Sequence, residues 1–149
     1  MTLKVALPSE YKELTELFFE VYASVNNKAE FNWPIENIQT ELVLSAFLIC
    51  RDEDDRICGF LSYRNNEDVY EIMALGTALW ARRKSVMSLL LRELQDNSRK
   101  ASKPIVLEVH SHNLKAINLY QKLGFKQIGV RKAYYMDRSD ALTYQYIHI

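Results

Sequence analysis

The chain has 149 residues, of which 48% are hydrophobic and 26% are charged, and 19 Lys and Arg residues balance 19 Asp and Glu residues. This length suits one domain over residues 1–149 with a sizeable core. The charge balance argues against nucleic-acid binding by broad neutralisation of phosphates. The apolar runs fall short of the roughly 18 residues that cross a bilayer, and Met1–Ser9 lacks a signal-peptide pattern. We therefore expect a cytoplasmic protein with no membrane contact.

The numbers of cysteines, glycines and prolines exclude further classes of protein. Cys50 and Cys58 fall in two neighbouring predicted strands and lack the spacing of metal ligands. A disulfide and a pair of reduced core thiols both fit this placement, and we favour the thiols. The 4 Gly and 3 Pro are few for this length, because average use is about 7% and about 5%. This composition excludes a low-complexity or disordered chain.

The first half of the chain predicts a strand, two helices and three strands. A strand at 3–7 precedes a helix that is opened by Pro8, with Ser9 as its N-cap and an apolar stripe from Tyr11 to Val25. Pro34 is placed as the first residue of the second helix. The three strands are predicted at 46–51, 56–64 and 69–77. The acidic run 52–55 is interpreted as a solvated hairpin turn rather than a cation site, and the mostly apolar third strand as central.

The second half alternates helices and strands. Helices are predicted at 82–100 and 111–123, the latter ended by Gly124, and strands at 104–110, 125–131 and 142–149. The complete order is β-α-α-β-β-β-α-β-α-β-β. This order predicts an α/β sandwich with a mixed sheet and fits neither a purely parallel sheet nor a β-sandwich.

The stretch 105–125 holds the residues that suit chemistry best. Glu108 and His110 share one face of a strand, and Asn113, Ala116 and Tyr120 share one face of the following helix. A carboxylate base and a phenol acid across one cleft suit acyl transfer to an amine. Each residue alone also has a structural explanation: a strand Glu can pair with Lys or Arg, and a helical Tyr is usually part of the core.

The pattern LEV…N..A..LY.KLGF…G.R..YY over residues 107–135 resembles the acetyl-CoA-dependent N-acetyltransferases of the GNAT superfamily, and most of all the RimI-type ribosomal-protein alanine N-acetyltransferases. The likeness extends backward through 71–91 and the Asn32-Trp33-Pro34 motif, and forward through the closing strand. It covers nearly the whole chain and implies the GNAT fold, with a mixed, mostly antiparallel central sheet and helices on both faces.

The resemblance implies acetyl-CoA as co-substrate. It places the cofactor on the strand at Leu75, Gly76 and Thr77, on the loop and helix start at Arg82, Arg83, Lys84, Ser85, Val86, Met87 and Ser88, and near Asn113 and Lys122. It also implies that Glu108 is the general base, that Tyr120 protonates the departing thiolate, and that Tyr134 and Tyr135 bind the acceptor.

Three positions depart from the family pattern. Leu79 replaces the usual Pro, and Ser85 and Met87 replace both glycines of the pyrophosphate loop. A side chain in a left-handed conformation costs roughly 1–2 kcal/mol, and Met87 is expected to be the harder to accommodate. The basic run 82–84 could compensate by charge or could be a solvated helix start. His110 stands where the family often has Arg; it could assist Glu108 or fill the strand end, and no metal site is expected because further ligands are missing.

Three functions are therefore kept. The first is acetyl transfer to a protein N-terminal α-amine in a ternary complex, by a monomer or homodimer. The second is the same chemistry on a small amine, since acceptor choice depends on segments that carry little signal. The third is a non-catalytic binding or regulatory subunit that has lost the loop glycines. The retention of Glu108, Asn113 and Tyr120 favours an enzyme.

Overall fold

The computed structural model describes residues 1–23 and 35–148. Val25, the Asn32-Trp33-Pro34 motif and the start of the second helix at Pro34 lie outside the described residues. The predicted element order is confirmed, with the following bounds: β1 Thr2–Val5, α1 Tyr11–Ala23, α2 Ile35–Leu44, β2 Ala46–Arg51, β3 Ile57–Asn65, β4 Tyr70–Thr77, α3 Val86–Ala101, β5 Ile105–His110, α4 Leu114–Lys122, β6 Lys126–Arg131 and β7 Ala141–Tyr146.

Within the described part of the chain, seven strands form one sheet in the order β1-β2-β3-β4-β5-β7-β6. The pairs are antiparallel except for β4 with β5, which is parallel. β4 is the middle strand, as its apolar sequence predicts. The predicted mixed, mostly antiparallel sheet is therefore confirmed.

Two glycines show that helices cover both faces of this sheet. Gly76 pairs with Phe60, and a Cβ at Gly76 would lie 2.9 Å from the Phe60 ring and from Val21 of α1. The neighbouring Gly59 points to the opposite face, where a Cβ would lie 2.5 Å from Val86 of α3. The two glycines thus let α1 and the start of α3 approach the same part of the sheet from opposite sides.

The core lies between the sheet and these helices. Leu14, Phe18 and Val21 of α1 are buried, and Phe18 stacks on Phe60 with 4.4 Å between ring centres. The predicted apolar stripe of the first helix is confirmed over its described part. Leu90 and Leu94 of α3 are buried as well, which leaves the polar side of each helix to solvent.

The predicted starts of the first and third helices are wrong. Pro8–Glu10 is a 3₁₀ turn whose N-cap is Leu7 and not Ser9. The free N–H of Leu7 donates to Glu10 Oε1 at 3.0 Å, so the capping side chain is that of Glu10. The third helix begins at Val86 and not at Arg82, because residues 82–85 form a loop in which Arg83 and Ser85 have positive φ.

The predictions for the acidic turn and the two cysteines are confirmed. Asp52 closes the acidic turn by accepting from the N–H groups of Asp54 and Arg56 at 3.0 and 2.9 Å, and Asp52 also pairs with the Arg56 guanidinium. Cys50 and Cys58 are buried free thiols, and burial raises the pKa of Cys58 to about 12. Among the described helices, none is long and apolar enough to span a bilayer.

Candidate active site

A cleft opens in the sheet where β4 and β5 separate. The two strands pair at Tyr70–Ile105 and Glu71–Val106 and diverge beyond these pairs. β4 is bulged at the same level, because Ser62 pairs with Ala74 and Tyr63 with Ile72, which leaves Met73 as an additional residue. Bulges bend a strand and end its pairing locally. The edge of β4 that would continue the pairing therefore faces the cleft.

The cleft has a volume of about 590 Å³. It is lined by residues from α1, β4, the loop 81–85, the start of α3, β5 and α4: Val21, Ile72, Met73, Ala74, Leu75, Gly76, Thr77, Ala81, Arg82, Arg83, Ser85, Val86, Met87, Ser88, Leu107, Glu108, Val109, Asn113, Lys115, Ala116, Leu119 and Tyr120. It thus combines an apolar wall with carboxylate, phenol and cationic groups.

One end of the cleft suits an anion. The 16-residue helix α3 begins here, and the first amides of a helix lack intrahelical acceptors and carry the positive end of its dipole. Arg82, Arg83 and Lys115 add cationic side chains to the lining. Arg83 and Ser85 adopt φ of 68° and 60°, which turns the loop sharply before the helix.

Of the two positions at which the family pattern has glycine, Ser85 and Met87, only Ser85 has a strained backbone. Ser85 is left-handed, with φ 60° and ψ 23°, and is the N-cap of α3. Met87 is the second helical residue and packs half-buried against the core. The backbone at Met87 is therefore helical and accepts a side chain without strain, while Ser85 carries the roughly 1–2 kcal/mol cost of the left-handed region.

Glu108 projects from β5 between two buried neighbours, Leu107 and Val109. Its side chain is 29% exposed, and its Oε2 accepts from Arg131 Nε at 3.0 Å. Glu108 therefore pairs with a basic residue, as the structural alternative predicted, and also lines the cleft. A carboxylate with one oxygen held by Arg131 keeps the other available for a proton.

Helix α4 brings Tyr120 to the same cleft. The Asn113 side chain caps the helix by accepting from the Ala116 N–H at 3.3 Å, so the predicted helix start at 111 moves to 114. Asn113, Ala116 and Tyr120 all line the cleft, which confirms their predicted common face. Gly124 ends the helix with φ 90°, as predicted.

The loop between β6 and β7 is anchored to the end of β5. His110 is fully buried, accepts at Nδ1 from the His112 N–H at 3.1 Å, and lies 2.9 Å through Nε2 from Asp137 Oδ2. Because Nδ1 accepts, Nε2 carries the proton that it donates to Asp137. Tyr135 stacks on His110 with 4.9 Å between ring centres. His110 therefore holds this loop, which supports its structural alternative over assistance to Glu108.

The structure gathers most of the predicted site residues. Among the described residues, Lys84, Lys122, Tyr134 and Tyr135 are the predicted positions that do not line the cleft. The two tyrosines contact each other in the loop that follows Arg131. Lys115 was missed, although a cation in the first turn of a cleft-lining helix is visible in the sequence. No local sequence pattern predicts the pairing of His110 with Asp137, since 27 residues separate them.

No cluster of His, Cys, Asp or Glu in the described part of the chain has the arrangement of a metal site. Elsewhere, buried Glu41 of α2 pairs with Arg64 of β3 at 2.9 Å and bonds to Ser45. This network joins a helix to the sheet away from the cleft.

Residues 8–125 match the model of the acetyltransferase (GNAT) family, and the chain belongs to this family. The match spans both the loop before α3 and the stretch from Glu108 to Phe125. The family resemblance inferred from the sequence is thus confirmed.

Curated relatives share shorter stretches. The N-alpha-acetyltransferase RimI of Mycobacterium tuberculosis is 35% identical over 75 residues, which cover 50% of this chain and 46% of that protein. An N-alpha-acetyltransferase of Sulfurisphaera tokodaii is 54% identical over 37 residues, which cover 25% of this chain and 22% of the relative. The chain therefore spans less than half the length of these relatives.

Solved structures share the fold over the full chain. The ribosomal-protein-S18-alanine N-acetyltransferase from Escherichia coli superposes with a TM-score of 0.80 at 19% identity, covering 98% of this chain and 92% of that one. A ribosomal-protein-alanine N-acetyltransferase from Brucella melitensis gives a TM-score of 0.73 at 19% identity, covering 99% of this chain and 100% of the other. The predicted GNAT fold is thereby confirmed.

Proposed function

We propose that this protein transfers the acetyl group of acetyl-CoA to the α-amine at a protein N-terminus. The observation that carries the proposal is the single cleft that holds Glu108, Tyr120, Asn113 and the start of α3 together. Family membership supports the acetyltransferase chemistry. The relatives named N-alpha-acetyltransferase support the α-amine as acceptor.

The cleft fits acetyl-CoA at both of its ends. The amides at Val86, Met87 and Ser88 and the side chains of Arg82, Arg83 and Lys115 suit the phosphates. The edge of β4 at Leu75–Thr77, which pairs with no described strand on the β5 side at this level, offers backbone groups to the amide-bearing arm of the cofactor. Asn113 lies beside that path. The cofactor supplies the activated acetyl group as a thioester.

Glu108 is proposed as the general base. An α-ammonium has a pKa of about 7.7–8.0, so part of the acceptor is already the neutral amine at about pH 7.5, and the carboxylate needs to take only the proton that this amine loses as it attacks. As the amine nitrogen bonds to the acetyl carbon and the carbon–sulfur bond breaks, Glu108 takes up the proton that the nitrogen loses. The acetyl group passes directly between the two substrates without bonding to the enzyme.

Tyr120 is proposed as the general acid. Its side chain is buried and yet reaches the cleft, and a phenol there can donate its proton to the departing thiolate. Phe125 and Tyr144 pack against the Tyr120 ring at 5.8 and 6.4 Å, which fixes its direction. The proton taken up by Glu108 and the one donated by Tyr120 balance over the reaction once solvent restores both groups.

The acceptor is proposed to approach along the loop after β6. Tyr134 is exposed there, and Tyr135 is held by its stacking on His110. Aromatic rings on a fixed loop can pack against the backbone of an extended peptide.

Transfer to matched peptides tests the proposal. The purified chain is incubated with acetyl-CoA and a peptide with a free N-terminal Ala and an internal Lys, and the modified position is located by mass spectrometry. The same peptide with a blocked N-terminus is the control. We expect acetylation of the α-amine and none of the blocked peptide. Acetylation of a panel of small amines alone would contradict the acceptor, and absence of transfer to every amine would contradict the enzyme.

A further inference from the structure

The ion pair between Arg131 and Glu108 joins two strands that are not neighbours. β7 lies between β5 and β6 in the sheet, yet Arg131 Nε lies 3.0 Å from Glu108 Oε2. The guanidinium therefore reaches across a whole strand to the carboxylate that lines the cleft. Such a contact needs both side chains on one face of the sheet and an open path between them.

The register provides both conditions. Glu108 and Gly129 pair with the same residue of β7, Thr143, while Arg131 pairs with Ala141. Residues that face each other in antiparallel strands, and residues two apart on one strand, share a face. Glu108, Gly129 and Arg131 are therefore on one side of the sheet. Because Gly129 has no side chain and Thr143 has a short one, the guanidinium can pass over this row.

The surroundings of Glu108 explain why such a contact matters. Its side chain is 29% exposed, and an exposed Glu side chain samples several rotamers in the absence of a partner. A guanidinium remains charged at every working pH and offers several donors in a fixed plane. It also lies 5.4 Å from the centre of the Tyr134 ring, which ties the carboxylate to the loop 132–140.

We infer that Arg131 is a positioning residue: it holds one oxygen of Glu108 and turns the other toward the acceptor nitrogen, and it couples this geometry to Tyr134. This inference rests on the proposed function, because it assigns to Arg131 an effect on the base of that reaction. Arg131 acts through Glu108 and exchanges no proton itself. Its loss is expected to lower kcat and to leave the affinity for acetyl-CoA unchanged.

A double-mutant cycle with Arg131→Ala and Glu108→Gln tests this coupling. Arg131→Ala should lower kcat between about ten- and hundredfold, because a misdirected base loses near-attack geometry. In the Glu108→Gln background the same change should have almost no further effect, since there is no base left to direct. Added ethylguanidinium should restore part of the rate of Arg131→Ala and none of the rate of the double variant.

The matched control is Lys126→Ala, which removes a charge from the other end of the same exposed strand, and it should keep the wild-type rate. Thermal unfolding checks that all variants are folded, which is expected because the Arg131 side chain is 61% exposed. A kcat within about twofold of wild type in Arg131→Ala, or losses that multiply in the double variant, would overturn the inference. A wild-type protein that acetylates no amine would overturn the proposed function and the inference with it.

Discussion

Glu108 shows how the neighbours of a residue decide where its side chain lies. It alternates with Leu107 and Val109, which are buried, so its carboxylate lies on the opposite face of the sheet from these two side chains. Because β4 diverges from β5 beyond Val106, the edge of β5 beside Glu108 opens into the cleft instead of pairing with β4. Position on a diverging strand, rather than residue type alone, makes this carboxylate available to a substrate.

Replacement of Glu108 by Gln is expected to lower kcat about a hundredfold or more, because a general base contributes about 10²–10⁴ to the rate. The amide keeps the shape of the side chain, so the affinity for acetyl-CoA should stay close to that of the wild type. Steady-state kinetics with the α-amine peptide measures both values. Glu71→Gln is the matched control, since Glu71 lies on β4 outside the cleft lining. Full activity of Glu108→Gln would remove Glu108 from the mechanism.

Placing glycine at residue 85 or at residue 87 should change the free energy of unfolding in opposite directions. Ser85→Gly should raise the free energy of unfolding by about 1 kcal/mol, because glycine adopts φ near 60° without strain. Met87→Gly should lower it by about 2 kcal/mol, because it places glycine in a helix and removes a half-buried side chain. Denaturant unfolding measures both. Equal effects of the two changes would show that the left-handed strain at Ser85 is not significant.

The residue scale also shows where sequence reasoning ends. Glu108, Asn113, Ala116 and Tyr120 could be predicted as a group because local periodicity places them on one strand face and one helix face. The contact of Arg131 with Glu108 could not, since it depends on the register of two strand pairs and on the absence of a side chain at Gly129. No spacing in the sequence contains that information.

At the scale of elements, the start of α3 is set by the loop and not by the hydrophobic pattern. The basic residues 82–84 are good helix formers, so periodicity and propensity extended the helix to Arg82. The chain instead adopts left-handed φ at Arg83 and Ser85, which places the first helical amides beside the cleft. Tertiary constraints here override local preference, and the resulting geometry suits the anion site that we propose.

The junction of β1, the 3₁₀ turn and β2 predicts a pH-dependent stability. Glu10 pairs with Lys4 and Arg51 at 2.8 Å each and accepts from the Leu7 N–H. Lys4 first, then the Leu7 amide and Arg51, lower the pKa of Glu10 from 4.5 to about 2. A carboxyl group with a lowered pKa in the folded state stabilises the fold above its ordinary pKa and loses this contribution as the pH falls.

Glu10→Gln should therefore lower the free energy of unfolding by about 1 kcal/mol near pH 7, a value reduced for solvent screening. The difference from wild type should shrink below pH 4.5 and largely vanish near pH 2, where Glu10 itself takes up a proton. Urea unfolding at several pH values measures this, with Glu16→Gln on the exposed side of α1 as control. A difference that stays constant down to pH 2 would show that the ionised Glu10 does not stabilise the junction.

At the scale of the molecule, the order of helices and strands was sufficient to predict an α/β sandwich with a mixed sheet, while the mostly antiparallel pairing and the helices on both faces were implied by the family resemblance. The strand order was not predictable in the same way, because β7 inserts between β5 and β6 and brings the chain end beside the candidate base. The cleft likewise depends on a bulge at Met73 that no local pattern marks. Family resemblance supplied what periodicity could not.

The proposed function requires that a diverging sheet and a loop without glycine form a functional acetyl-CoA site. The apolar wall of the cleft, the amides of α3 and the cations at Arg82, Arg83 and Lys115 act together in this account. The left-handed Ser85 belongs to the folded loop itself, so its strain lowers stability rather than affinity.

Calorimetric titration of the purified protein with acetyl-CoA tests this claim most directly. We expect one binding site with a dissociation constant in the micromolar range, similar affinity for CoA, and weaker binding when Arg83 and Lys115 are both replaced by Ala, because the phosphates then lose two charged partners. Absence of binding at millimolar acetyl-CoA would contradict the account, and would show that a chain with this fold and these catalytic-type residues does not use the cofactor of its family.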